Sequence, residues 1–131
     1  VTRTALVLSV TLVLGGVMST TSPAWAHHSA AATYDASQSI AITGTVTAFA
    51  WRNPHCHLYL CVTEGPFKGK EYVIELSSPV VLEEVGWSRT SFNAGDRVTV
   101  HVNPSRTGAP IGLCRNCLVT VNGVTKLRTV Q

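Results

Sequence analysis

Residues 97–102 carry the cleanest alternation in the chain: Val98, Val100 and Val102 fall on one side of a predicted strand, and Arg97, Thr99 and His101 on the other. The same period of two recurs over residues 55–62. Cys56, Leu58, Leu60 and Val62 form an apolar, core-facing set there, and His55, His57, Tyr59 and Cys61 share the opposite face. Residues 40–51 predict a first strand, with Ile42, Val46 and Ala48 set against Thr43, Thr45, Thr47 and Phe49; Gly44 in its middle marks a bend or bulge. Asn53-Pro54 breaks that strand before the His-rich second one. A Gly- and Pro-containing loop over residues 64–70 then leads into a third strand, where Tyr72, Ile74 and Leu76 alternate against Val73 and Glu75.

After this meander the punctuation changes. Ser78-Pro79 predicts a helix start, the Ser78 hydroxyl capping free amides and Pro79 occupying the first turn, where its missing N–H costs nothing. Residues 80–85 make barely two turns before Gly86 ends them, and Trp87 is placed to plug the core. Asn93-Ala94-Gly95-Asp96 reads as the turn before the Val-rich fourth strand. Residues 103–110 read as a polar loop, residues 118–121 as a fifth strand ending at Asn122-Gly123, and residues 124–131 as a tail or short final strand. Three meandering strands, a short helix and two further strands predict an all-β fold with one short helix, a small five-stranded OB-like barrel over residues 40–123. An open β-sandwich is the alternative.

The start of the chain does not belong to that pattern. Arg3, the apolar run at residues 5–17 and Ala24-Trp25-Ala26 have the layout of a secretory signal peptide, residues 1–26, whose apolar run is too short for a membrane span. No twin arginine precedes it and no cysteine comes after the cleavage site. The expected product is therefore a periplasmic or secreted protein without a stable membrane span, beginning at His27 and carrying an irregular arm over residues 27–39. Residues 27–131 are the size of one small domain. Ten Lys and Arg face seven Asp and Glu. Without Arg3 the balance is near +2 and unclustered, which gives no support for nucleic-acid binding.

Cleavage at that site would place an α-amine beside the imidazole of His27, a pair that chelates copper, and His55 or His57 would complete a three-nitrogen site. On a strand, His55 and His57 stand about 6–7 Å apart at the Cβ level, within reach of one ion. His28 is a further candidate ligand. Cys56, Cys61, Cys114 and Cys117 are disulfide candidates in an exported chain, with three pairings open to them; Cys56 and Cys61 lie on opposite faces of one strand and are too distant to bond each other. Cys114-Arg115-Asn116-Cys117 has the spacing of a redox dithiol or half a zinc site, but the chain has no second such motif. Leu118 stands where covalent haem attachment needs histidine, and neither haem nor a nucleotide is expected. Phe49, Trp51, Asn53 and Tyr59 could line a ligand rim. Asp35, Glu75 and Asp96 show no paired arrangement along the chain, and no catalytic triad is readable.

His27-His28-Ser29, Trp51-Arg52-Asn53-Pro54-His55, Ser78-Pro79, Gly86-Trp87 and Gly95-Asp96 together resemble the pattern of a bacterial family of small exported proteins of unknown function. The resemblance implies export and a barrel-like fold, and it carries over His27, His28, Asn53, Pro54 and His55. His57 and the four cysteines are not part of that pattern. The functional expectation is a copper-binding or delivery module, its partner a metal ion or a periplasmic protein, rather than a catalyst. An interaction or small-ligand module using the aromatic rim is the alternative, and a copper-dependent oxidative enzyme ranks third.

Overall fold

Closure of the sheet depends on one long strand. The computed structural model describes residues 30–128; the expected signal peptide, His27 and His28 lie outside the described residues. Strand β1 (Ile40–Ala50) has 11 residues, enough to pair twice. Its first half runs antiparallel to β4 (Arg97–Pro104), from Ile40 opposite Val102 to Thr45 opposite Arg97. Its second half runs antiparallel to β2 (His57–Val62), from Gly44 opposite Val62 to Ala50 opposite His57. Strand β2 pairs with β3 (Glu71–Glu75), β3 runs parallel to β5 (Ile111–Leu113), and β5 returns antiparallel to β4. The circuit β1-β2-β3-β5-β4-β1 is a closed five-stranded barrel of OB type, so the open sandwich is not the architecture. Outside the barrel, β6 (Leu118–Val121) pairs with β4 and forms a hairpin with β7 (Val124–Arg128).

The strand read as fifth, residues 118–121, is therefore an annex on β4. The barrel's closing strand is Ile111–Leu113, three residues that come directly after the 103–110 loop. The bulge also moves. Register shifts between Val46 and Ala48, so the alternation inverts at Thr47: Ala48 is exposed and Phe49 turns partly inward. Gly44 serves a different need, because a Cβ there would sit 2.6 Å from the Cys61 carbonyl oxygen. Only a residue without a side chain lets the two backbones come that close.

Elsewhere the alternation holds. Cys56, Leu58, Leu60 and Val62, then Tyr72, Ile74 and Leu76, then Val98, Val100 and Val102 are each at most 2 % exposed. Burial of each large aliphatic side chain contributes roughly 1.5–3 kcal/mol. Helix α2 (Pro79–Glu84) starts at Pro79 as expected, but Ser78 makes no side-chain capping bond. Leu82 of this helix and Trp87 just after it are buried, and Phe92 packs edge-on against Trp87 and Phe49.

The segment before β1 is anchored. Helix α1 (Ala30–Thr33) leads to Tyr34, which bridges to Ser105; the Arg106 side chain donates to the Ala31 carbonyl at 2.8 Å, and Asp35 N–H donates to the Pro104 carbonyl. Asp35 in turn accepts from Ser37 and Gln38, bonds that hold its carboxyl below the usual carboxylate range and shape the turn into β1. Among the described residues, no helix is long and apolar enough to cross a membrane.

Candidate functional site

At one end of the barrel β2 begins while β3 and β5 finish, and three polar side chains from distant parts of the chain meet there. His55 lies just before β2, after the cis Asn53-Pro54 peptide bond, and its Nδ1 stands 3.0 Å from Glu75 Oε1. The other carboxylate oxygen, Glu75 Oε2, accepts the Tyr34 hydroxyl at 2.8 Å. Glu75 ends β3 on the outward face, opposite His57, and this register carries its carboxylate toward the residue preceding β2. Backbone pairing continues past the ends of the two strands, with Cys56 N–H donating to the Ser77 carbonyl and Leu76 N–H to the Cys56 carbonyl.

Tyr34 is only 7 % exposed. Burial, then the hydrogen bond and charge of Glu75, push its hydroxyl well above the ordinary tyrosine range, so it remains a donor to the carboxylate at any physiological pH. His55 is different, with 40 % of its side chain exposed. Its Nδ1 is committed to Glu75, and a neutral imidazole held in this way presents Nε2 as a lone-pair donor.

The other expected site residues are spread around this end and the core. His57 starts β2 with its ring beside Tyr59, centroids 6.5 Å apart, and its buried Nδ1 has no hydrogen-bond partner among the described residues. Trp51 is buried and Phe49 packs edge-on against it at 5.7 Å, so both rings contribute to the core; Asn53 is exposed in the turn. Cys114 and Cys117 form a disulfide, whereas Cys56, buried, and Cys61, exposed, are free thiols. Burial raises the Cys56 thiol, which favours its neutral form as a small core residue. His27 and His28 lie outside the described residues. Among the described residues, no group of three His, Cys, Asp or Glu side chains comes together as a metal site.

Tyr34 and Glu75 are the participants that sequence reasoning missed. Glu75 was visible as an outward residue on the third strand, and the strand register was the one available signal that it would face the start of the second. Nothing local pairs Tyr34 with it across 41 residues.

The buried hydroxyls also set the alkaline limit of the fold. Burial pushes Tyr72 from 10.0 up to about 12, and Tyr34 moves in the same direction. Above pH 10 the unfolded chain releases protons that the folded chain still holds. The contribution of these groups is thus complete below 10 and is lost as pH rises through their folded values. For Tyr72 the expected loss between pH 10 and pH 12 is on the order of 2–3 kcal/mol. Urea midpoints across that interval should fall less steeply in Tyr72→Phe than in the parent chain.

No curated protein and no solved structure matches the chain. A family model does match residues 14–115, a stretch that takes in Tyr34, His55 and Glu75 and ends one residue after the first cysteine of the disulfide. The chain belongs to this family, described as a family of unknown function (DUF6152).

Proposed function

We propose that the chain is an exported module that binds one copper ion through the α-amine and imidazole of His27 together with Nε2 of His55. The observation that carries this reading is the Tyr34–Glu75–His55 chain of hydrogen bonds. A carboxylate on one ring nitrogen of histidine fixes the tautomer and aims the other nitrogen, one of the ways in which metal-ligating histidines are held, alongside a backbone carbonyl or a water. Tyr34 ties the same carboxylate to the segment that leads back through α1 toward His27.

Reach supports the reading. Ala30 is three positions after His27, a span of about 10 Å when extended. The cavity beside Ala30 and Tyr34 and the cavity beside His55 share Arg115 as a lining residue, so α1 and His55 face neighbouring parts of one surface. His28 and His57 stand by as additional nitrogen ligands. The Cys114–Cys117 disulfide fits an oxidising compartment and supports export. The role in this reading is capture or delivery of the ion, resting on the histidine held by Glu75.

Paramagnetic resonance during Cu(II) titration tests this on protein whose mass places His27 first. The parent protein is expected to show one tight site with three nitrogen ligands. His55→Ala should remove one nitrogen, and acetylating the N-terminus should abolish the tight site. Unchanged affinity after both alterations would overturn the proposal.

A further inference from the structure

The Cys114–Cys117 loop displays a cation. Both cysteines are buried, their Cα atoms 5.2 Å apart, while Arg115 and Asn116 between them are exposed. Asn116 adopts φ 56°, a left-handed conformation that asparagine tolerates better than most residues. The base of the loop is fixed to β3, because Cys114 N–H donates to the Glu75 carbonyl at 2.9 Å. Arg115 is thereby brought to the mouth of a cavity of about 330 Å³ that it lines with His55, Ser77, Ser78 and Val81.

The chemistry of that lining is one-sided. The described residues that line the cavity carry a guanidinium, two hydroxyls and an imidazole, and none of those five is acidic. Ser78 makes no side-chain bond to the helix it precedes, which leaves its hydroxyl available. The neighbouring Glu75 carboxylate has one oxygen beside His55 and the other engaged by Tyr34. Val81 supplies an apolar wall. A guanidinium fork matches a planar carboxylate with two parallel hydrogen bonds, hydroxyls can add to the same oxygens, and the volume suits a small molecule.

We infer that this cavity is a binding site for a small organic carboxylate, with Arg115 pairing with the carboxylate, Ser77 and Ser78 donating to it, and Val81 against the carbon chain. His55 borders both this cavity and the proposed copper site, so the metal-free protein is used to test the carboxylate site apart from the copper reading.

Calorimetric titration of the metal-free, chelator-treated mature protein with butyrate, succinate and inorganic phosphate tests the inference. At least one carboxylate is expected to bind one to one. Arg115→Gln should weaken that binding about tenfold or more, the effect of removing a charge-assisted pair. Ser78→Ala should weaken it by a smaller factor. Arg97→Gln removes the same charge from the exposed face of β4 and should leave affinity unchanged. No saturable carboxylate binding would overturn the inference, as would equal losses in the two arginine variants. Binding of phosphate alone would overturn the assignment to carboxylates.

Discussion

Replacing Tyr72 with alanine is expected to destabilise the fold by about 3–5 kcal/mol, the range for removing a buried aromatic ring. Domains of this size have only about 5–15 kcal/mol in total, so the variant should unfold at a much lower urea concentration with little change in the steepness of the transition. The ring is fully buried on β3 and meets Phe67 edge-on at 5.1 Å, while its hydroxyl donates to the Ile111 carbonyl at 3.0 Å. It therefore joins β3 to the short strand that closes the barrel. Gly112 at the centre of that strand shows how little spare room exists: a Cβ there would lie 2.6 Å from Val102 Cγ2 and 3.2 Å from Tyr72 Cε1. Tyr72 and Val102 occupy the space that a side chain at residue 112 would need, and removing the ring leaves a cavity that a three-residue strand cannot collapse into. Tyr72→Phe separates the two contributions. It keeps the ring and deletes the hydrogen bond, so it should cost only about 0.5–1.5 kcal/mol. A Phe variant as damaged as the Ala variant would mean that the bond to Ile111, and not the ring, holds β5 in place.

Much of this architecture was legible because period two is a strong signal when one face is buried. The faces of β2, β3 and β4 are set by the alternation from Cys56 to Val62, Tyr72 to Leu76 and Val98 to Val102. Strand β5 was not legible. Three residues with glycine in the middle are too short to establish alternation, and its parallel partner β3 lies far away in sequence. Residues 118–121, longer and rich in valine, give the stronger local signal although they pair outside the barrel. Gly44 was a sound signal with the wrong consequence: it marks close contact with β2, and the bulge falls at Thr47.

The site was half legible for the same reason. His55 stands out locally, next to Asn53-Pro54 and one residue from Cys56. Its carboxylate partner becomes visible only once the β2–β3 register is known, and Tyr34 only once the arm is known to bridge to Ser105. Arg115 reads in sequence as a spacer between two cysteines, and it gains a role when the disulfide turns it toward His55.

Glu75→Gln is expected to lower copper affinity by about 10–100-fold without deleting a ligand, the usual effect of losing a partner that orients a metal-binding histidine. The amide keeps the size of the carboxylate but can accept through one oxygen only, whereas Glu75 serves two donors, His55 Nδ1 and the Tyr34 hydroxyl. In the variant one of them must face an amide N–H or lose its partner, and the His55 ring is no longer held in a single orientation. Glu75 is a positioning residue in this reading, and the measurements that distinguish it from a ligand or a merely structural group are separate. Three nitrogens should still appear in the paramagnetic resonance spectrum of the loaded variant, where His55→Ala shows two. The metal-free variant should lose some thermal stability, because the Glu75 side chain is only 21 % exposed and accepts from the buried Tyr34 hydroxyl, and copper affinity should fall by more than that loss explains. Tyr34→Phe should give a smaller loss of affinity, since it leaves the bond to His55 intact and frees one carboxylate oxygen. Unaltered copper affinity in Glu75→Gln would show that the carboxylate does not orient His55 for a metal, and would remove the observation on which the proposed function rests.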